Sequence, residues 1–265
     1  MGMRITVPQI KARKKQTKIV CISTYTAPLA RLSDEVADII LVGDSLGMVL
    51  YGMDSTLSVT VDMMCLHGRA VVKSSDKALV VVDMPFASYQ GSNATAYKNA
   101  AKILAETGAG AVKLEGGREI EGTVKFLTQR GIPVMGHVGM QPQNFNVYGG
   151  FKFRGRDKEE FEKIIDDAKA VEDAGAFAIV IEGVTRNLAK RITDRVKIPT
   201  IGIGAAPECD GQVLVAEDVL GLGFGQKPRF VKKYAELNEI IKDALVDFAA
   251  DIKEGKFPAK ENCYE

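Results

Sequence analysis

The sequence predicts an α/β protein of the (β/α)8 barrel (TIM barrel) class, and two features of the chain support this prediction. Short apolar runs alternate with amphipathic helical segments along nearly the whole chain, which is typical of right-handed βαβ units around a parallel sheet. Eight strand segments in 265 residues also match the size of such a barrel, for which about 250 residues is typical. A doubly wound open sheet is the alternative that the same pattern allows.

The predicted strands are short, and several are apolar throughout, as expected for strands that are covered on both faces. In chain order they are Ile19–Ser23, Ile39–Val42, Leu79–Val82, Ala111–Leu114, Pro133–Gly136, Ala178–Ile181, Thr200–Ile203 and Val213–Val215. The helical patterns are Ala30–Ala37, Asp62–Lys73, Ala94–Glu106, Glu119–Arg130, Lys158–Asp173, Arg186–Val196 and Tyr234–Ile252. A short amphipathic segment, Val7–Lys14, precedes the first strand. Because no Gly/Pro/Ser-rich linker interrupts the chain, we expect one domain over residues 1–265 with a short N-terminal helical segment.

The composition argues against several classes of protein. Lys and Arg number 35 against 34 Asp and Glu, so the net charge of +1 lacks the positive excess of nucleic-acid or membrane-surface proteins. No apolar stretch reaches the roughly 18 residues of a membrane span, and the N-terminus lacks the apolar region of a secretory signal. Four scattered cysteines and two histidines argue against a zinc site or a disulfide framework. We therefore expect a cytoplasmic protein with reduced thiols.

Polar residues follow the predicted strands at their carboxyl ends. They are Asp44 and Ser45, Asp83, Lys113 and Glu115, His137, and Glu182. Each has an ordinary structural explanation: an Asp after a strand can cap a helix, a Glu before a glycine can lie in a solvated turn, and a buried histidine is often only structural. In a barrel, however, the carboxyl ends of all strands meet at one mouth, so we expect these side chains to share one small space.

Such a cluster has a chemical consequence, because four carboxylates against one lysine leave an excess of buried negative charge. A hard divalent cation would balance it, and Mg²⁺ prefers oxygen ligands, whereas zinc would use the scarce His and Cys. The spacing thus indicates a metal-dependent enzyme that acts on a small oxygen-rich anion such as a keto acid. In that interpretation Mg²⁺ acts as a Lewis acid that stabilises an enolate, Lys113 pairs with the substrate carboxylate, and Glu182 takes the proton.

Several strings resemble one family closely in their order and spacing. LVGDSLGM, DMPF, VKLEGG, GHVGMQPQ, GIGAA and DGQVLV are similar to the ketopantoate hydroxymethyltransferase family over about Thr24–Arg229. The resemblance implies a barrel of the phosphoenolpyruvate mutase and isocitrate lyase superfamily. It also implies transfer of a one-carbon unit from 5,10-methylenetetrahydrofolate to 3-methyl-2-oxobutanoate, which gives 2-dehydropantoate on the route to pantothenate. Members of the family form homo-oligomers, commonly decamers built from two pentameric rings.

The resemblance also implies roles for the polar residues at the strand ends. It assigns Mg²⁺ to Asp44, Asp83 and Glu115, with some ligands acting through water. It assigns keto-acid contacts to Asp44, Ser45, Asp83 and Lys113, makes Glu182 the proton acceptor, and puts His137 beside the substrate in a supporting role. By position alone, Leu46, Met48 and Met84 are candidates for an apolar wall against the methyl groups of the substrate.

Three questions stay open at this point. The loop 146–156 carries Lys152, Arg154 and Arg156, which suit a lid or a contact for the folate glutamate tail, although a solvated basic loop is the alternative. Another Mg²⁺-dependent enolate enzyme of the same superfamily, such as a carbon–carbon lyase or a mutase, is an alternative function, although the chain has no KKCGH-like string. A non-catalytic binding barrel is a further alternative.

Overall fold

The structure is a computed structural model that describes residues 4–223 and 228–264. Eight parallel strands follow one another in chain order and close into a barrel, which confirms the predicted (β/α)8 class and excludes the open sheet. The strands are β1 (Ile19–Ser23), β2 (Ile39–Val42), β3 (Leu79–Asp83), β4 (Ala111–Glu115), β5 (Val134–Gly139), β6 (Ala178–Glu182), β7 (Thr200–Ile203) and β8 (Gly211–Val215).

Eight of the eleven α-helices in the described residues lie where the sequence predicts them, with shifts at their ends. Three short helices, Leu46–Val49, Phe145–Tyr148 and Ala216–Leu220, were not predicted. In chain order the helices are α1 (Val7–Lys11), α2 (Ala27–Ser33), α3 (Leu46–Val49), α4 (Val61–Lys73), α5 (Asn93–Thr107), α6 (Glu121–Thr128), α7 (Phe145–Tyr148), α8 (Lys158–Asp173), α9 (Arg186–Arg195), α10 (Ala216–Leu220) and α11 (Leu237–Lys253). The largest shift is in α2, which starts three residues before the predicted Ala30 and ends at Ser33, four residues before the predicted Ala37; Pro28 fits the first turn of this helix.

Four strands extend further towards the mouth of the barrel than predicted. β3, β4 and β6 each end one residue later, at Asp83, Glu115 and Glu182, and β5 continues through His137 to Gly139. The backbone ladder continues because an inward-pointing polar side chain leaves the strand hydrogen bonds intact. The chemical groups therefore sit on the rigid sheet and not on the loops that follow it.

Successive side chains of each strand point to opposite faces of the sheet, so the buried apolar residues form two cores. One core fills the barrel, where residues such as Val81 and Val180 point inward and Ile10 of α1 packs among them. The other lies between the strands and the surrounding helices. Because side chains alternate along a strand, a residue two positions after an inward-facing one also faces inward. Asp83 follows Val81 and Glu182 follows Val180 in this way, so both reach the barrel mouth.

The chain divides into two compact units, Met1–Ala216 and Glu217–Glu265. The first contains the barrel. In the second, the amide nitrogen of Tyr234 donates to the Val219 carbonyl at 2.8 Å, and α11 is the long helix. The expectation of one domain over residues 1–265 stays a prediction.

Two further features concern the chain as a whole. Among the described residues, no helix combines the length and apolar character that crossing a membrane requires. All four cysteines lie within the described ranges, and each is a free thiol.

Candidate active site

The first part of the site is a tight turn at the end of β2. A Cβ atom at Gly43 would lie 2.9 Å from Ser45 Oγ and 3.2 Å from Ser23 Oγ, so a larger residue there would displace the Ser45 hydroxyl. The turn directs Asp44 into the barrel mouth, where it is buried, and Ser45 lies at the start of α3. Ser45 Oγ is 2.7 Å from the hydroxyl of Tyr25, a residue for which the sequence predicts no role.

A buried ion pair joins β3 to β4. Asp83 and Lys113 are register neighbours, and Lys113 Nζ lies 3.2 Å from Asp83 Oδ2 with both side chains about 95% buried. The same carboxylate oxygen accepts the backbone N–H of Asp44 at 3.1 Å. Asp83 Oδ1 is buried as well, and among the described residues it has no hydrogen-bond partner. One oxygen of this carboxylate is therefore available to a ligand.

The imidazole of His137 bridges two acids on neighbouring strands. Its Nδ1 lies 3.4 Å from Glu115 Oε1 and 3.2 Å from Lys113 Nζ. Its Nε2 lies 3.1 Å from Glu182 Oε2, close enough for an ionic contact but without the alignment of a hydrogen bond. A Cβ at Gly139 would overlap the Glu182 carbonyl, so this glycine lets β5 approach β6 closely. His137 thus lies in contact with both Glu115 and Glu182 at the mouth.

Burial and mutual repulsion shape the charges of the site. Burial, with the charges of Asp83 and Glu115, raises the pKa of Asp44 well above its usual range. Burial also raises the pKa of Asp83, although Lys113 opposes the rise. Burial would raise the pKa of Glu115 too, but His137 and Lys113 outweigh it and lower this pKa. For His137, burial and Lys113 favour the neutral ring, yet Glu115 and Glu182 raise its pKa to about 9. In the protein alone, the carboxylates of the site therefore outnumber its two cationic side chains, Lys113 and His137.

Gln143 is the main site residue that sequence reasoning misses. Its backbone N–H donates to Glu115 Oε2 at 3.0 Å, and its side-chain Nε2 donates to Asp44 Oδ2 at 2.9 Å. Two signals could have found it: the string GHVGMQPQ contains it, and the long connection 140–157 between β5 and α8 is unusual in a compact barrel. Neither signal specifies its partners.

The predicted metal ligands face one another, but they do not form a complete set. Within residues 4–223 and 228–264, no group of three or more His, Cys, Asp or Glu side chains is spaced to hold a metal ion. The two oxygens of Glu115 are already in contact with His137 and the Gln143 amide, which leaves Asp44 and Asp83 as the acids nearest to a free position. The assignment of Mg²⁺ to Asp44, Asp83 and Glu115 stays a prediction.

Two other predicted features are only partly suited to their expected roles. Leu46 and Met84 are fully buried in the core between strands and helices, so of the three apolar-wall candidates only Met48 is partly exposed. In the loop 146–156, Arg154 Nη2 pairs with Glu160 Oε1 at 2.6 Å and its guanidinium stacks 4.0 Å from the Tyr148 ring centre. The other two cations of that loop, Lys152 and Arg156, are exposed.

Comparison with known proteins decides the family. The sequence profile of the ketopantoate hydroxymethyltransferase family matches residues 4–260, nearly the whole chain. The chain belongs to this family. A relative from Rhodospirillum rubrum, 3-methyl-2-oxobutanoate hydroxymethyltransferase, is 55% identical over 99% of this chain and 95% of its own length. A relative of the same name from Paramagnetospirillum magneticum is 54% identical over 98% of this chain and 95% of its own.

Solved structures of more distant proteins share the fold of this hydroxymethyltransferase family member. Phosphonopyruvate hydrolase matches with a TM-score of 0.63 at 13% identity, covering 98% of this chain and 92% of that one. 2,3-Dimethylmalate lyase, a member of the phosphoenolpyruvate mutase and isocitrate lyase superfamily, matches with a TM-score of 0.61 at 14% identity, covering 98% and 93%. These likenesses agree with the (β/α)8 fold of the chain.

Proposed function

We propose that this protein transfers a hydroxymethyl unit from 5,10-methylenetetrahydrofolate to 3-methyl-2-oxobutanoate and so produces 2-dehydropantoate for pantothenate synthesis. Membership of the family supports the reaction. One observation carries the proposal. The Asp83–Lys113 pair, which can bind a keto acid, lies at the same barrel mouth as the pair formed by His137 and Glu182. One part of the mouth can bind the acid, while the neighbouring part can remove a proton from it.

The keto acid would be recognised through its carboxylate and carbonyl oxygens. Lys113 is a buried cation, and the pKa of its ammonium is raised because Asp83, Glu115 and Asp44 outweigh the effect of burial. It therefore carries a full positive charge for the substrate carboxylate. The hydroxyl of Ser45, held by Tyr25 at 2.7 Å, is a neutral hydrogen-bonding group at the same rim. Together these groups favour a small carboxylate-bearing substrate.

The residues present fit Mg²⁺. Asp83 Oδ1 has no hydrogen-bond partner among the described residues, and burial raises the pKa of both Asp44 and Asp83, as expected where a cation would complete the site. Mg²⁺ commonly binds one or two protein carboxylates together with waters and substrate oxygens. Asp44 and Asp83 would hold it, and Glu115 would act through water. When bound, Mg²⁺ would polarise the carbonyl of the keto acid as a Lewis acid and ease the loss of the neighbouring proton.

In the proposed reaction Glu182 takes the proton from C3 of the keto acid. C3 then forms a bond to the methylene carbon of the folate while one of the two carbon–nitrogen bonds of that carbon breaks, and the released nitrogen takes the proton that left C3. Water then replaces the second nitrogen: its oxygen becomes the hydroxyl group, one of its protons goes to that nitrogen, and tetrahydrofolate leaves. Two observations support Glu182 as the base: its side chain is 14% exposed, more than the 4% of Asp83 and the 3% of Glu115, and its Oε2 lies 3.1 Å from His137 Nε2. This contact holds the Glu182 carboxylate beside the imidazole at the mouth of the barrel.

The folate would approach from the side of the loop 146–156. The backbone N–H of Arg154 donates to the Gly183 carbonyl at 2.8 Å, so this loop runs beside the residue that follows Glu182. Exposed Lys152 and Arg156 suit the carboxylates of a glutamate tail.

We further propose that the protein is cytoplasmic, which three buried free thiols, Cys21, Cys65 and Cys209, support. We also propose that it forms a homo-oligomer, for which a decamer is the family expectation.

Turnover by the purified protein tests the proposal. The protein is incubated with 3-methyl-2-oxobutanoate, 5,10-methylenetetrahydrofolate and MgCl2, and mass spectrometry follows 2-dehydropantoate. We expect product only when both substrates are present, and loss of product with a chelator that added Mg²⁺ reverses. Conversion of the keto acid without the folate would instead favour a lyase or mutase, and no conversion under any of these conditions would reject the proposed activity.

A further inference from the structure

Gln143 occupies the centre of the acid cluster although it comes from a loop. It lies in a short 3-10 turn, Pro142–Asn144, that follows β5, and it is only 5% exposed. Its side-chain amide reaches the ends of two other strands: Nε2 donates to Asp44 Oδ2 at 2.9 Å and to the Met84 carbonyl at 3.0 Å. One side chain thus ties the loop after β5 to the ends of β2 and β3.

The orientation of this amide is set by its neighbours. Its Oε1 accepts a hydrogen bond from Gln90 Nε2 at 3.0 Å and lies 2.8 Å from the Tyr89 hydroxyl, whose single proton it shares with the Glu115 carbonyl at 2.9 Å. Turning the amide over would bring its oxygen against the carbonyl of Met84, which only accepts hydrogen bonds, and would remove the donor to Asp44 Oδ2. All the hydrogen-bonding capacity of the amide is therefore used in one arrangement, which a buried polar group requires.

A second acid depends on the same residue. The backbone N–H of Gln143 donates to Glu115 Oε2 at 3.0 Å. The Tyr89 hydroxyl accepts the backbone N–H of Glu115 at 3.1 Å, so Tyr89 supports both Glu115 and the Gln143 amide. The carboxylates of Asp44 and Glu115 consequently share one hydrogen-bonding partner.

We infer that Gln143 is the positioning residue that aims Asp44 and Glu115 at the divalent cation and the keto acid. This inference rests on the proposed function. A neutral amide suits the task, because it holds a carboxylate in one rotamer without cancelling its charge, whereas a lysine or arginine there would compete with the cation. Gln143 itself need not touch the cation or the substrate.

Binding of Mn²⁺ to the free protein, measured by calorimetry and by electron paramagnetic resonance, tests this role without turnover. Gln143→Met keeps the length of the side chain and removes the hydrogen bonds of its amide to Asp44 and Met84, while the backbone N–H can still donate to Glu115. We expect this variant to bind Mn²⁺ about ten- to a hundredfold more weakly, as loss of a hydrogen bond to a charged group predicts. The circular dichroism spectrum should stay that of the unchanged protein.

Gln141→Met is the matched control, because Gln141 is a buried residue of the same loop whose side chain bonds to Asn144 and Tyr148 and to neither acid. It should bind Mn²⁺ as the unchanged protein does. If Gln143→Met does not fold, Tyr89→Phe keeps the buried ring, and a severalfold weaker Mn²⁺ affinity is expected. Unchanged affinity in the folded variants would overturn the role of Gln143. Failure of the unchanged protein to bind Mn²⁺ would instead reject the metal site itself.

Discussion

Lys113 and Asp83 form an ion pair inside the barrel mouth, with Nζ 3.2 Å from Oδ2 and about 5% of each side chain exposed. The two residues are direct neighbours in the register of β3 and β4, so the pair is built into the sheet. Removing one partner of a buried pair is costly because the other charge is left without compensation. The pair is therefore both a structural element and the cationic end of the proposed substrate site.

We predict that Lys113→Met lowers the free energy of unfolding by about 3–5 kcal/mol at neutral pH, because Asp83 stays buried without its cation. Urea unfolding of the metal-free protein measures the change. The double variant Lys113→Met with Asp83→Asn should recover part of the loss, since position 83 then carries no charge that lacks its cation. A single variant as stable as the unchanged protein would show that the pair contributes nothing.

We predict that Asp44→Asn and Asp83→Asn each raise the Mg²⁺ concentration for half-maximal turnover at least tenfold, because each removes a carboxylate from the proposed cation site. The measurement is a Mg²⁺ titration of the rate, with the exposed Asp62→Asn as the control. The same Mg²⁺ requirement in both variants and in the control would refute the metal assignment.

The Asp44→Asn variant also has a stability signature. Burial and the neighbouring acids raise the pKa of Asp44, so its ionisation above the unfolded pKa of about 4 opposes folding. At pH 8 and without metal, the neutral Asn should therefore leave the thermal midpoint equal or higher. A clearly lower midpoint would mean that the Asp44 carboxylate is stabilising in the metal-free protein.

We predict that Glu182→Gln lowers kcat by about a hundred- to ten-thousandfold, the usual contribution of a general base. Keto-acid affinity in the presence of Mg²⁺ should change little, because the proposed binding contacts come from β2, β3 and β4. Stopped-flow turnover together with calorimetric titration separates the two effects. Full turnover in this variant would end the assignment of Glu182 as the base.

We predict that His137 of the metal-free protein titrates near pH 9, well above the 6.5 of a free imidazole, because Glu115 and Glu182 outweigh burial and Lys113. Since the folded pKa is the higher one, this group stabilises the fold fully below about pH 6.5, and its contribution is lost as the pH rises through about 9. NMR of labelled histidine follows the ring directly. The chain has only two histidines, so His137→Gln assigns the signals, and a midpoint at or below 6.5 would contradict the prediction.

The positions of the site residues could be predicted from local sequence, because they follow from two periodic rules. Apolar runs separated by helices define parallel strands, and the carboxyl ends of these strands meet at one mouth. Alternation along a strand then determines which side chains enter it. Asp83, Glu115 and Glu182 each end their strand in the inward orientation, so strand position alone placed them together.

Contacts between loops and strands could not be predicted in this way. Gln143 lies 99 residues from Asp44 along the chain, and no periodic rule connects a turn after β5 with the end of β2. Likewise, Ile10 belongs to the predicted amphipathic segment Val7–Lys14, and no local pattern indicates that it packs inside the barrel. Both placements depend on how the closed barrel brings distant segments together.

The amino-acid sequence by itself determined the barrel, the end of it that carries the chemistry, and the acids, lysine and histidine that gather there. Only the tertiary structure decided which oxygen pairs with which nitrogen, which acid keeps a free oxygen, and how far each pKa moves. The physical reason is that periodicity specifies direction along one strand. Hydrogen bonds and buried charges, in contrast, depend on distances of a few ångströms between segments that meet only when the barrel closes.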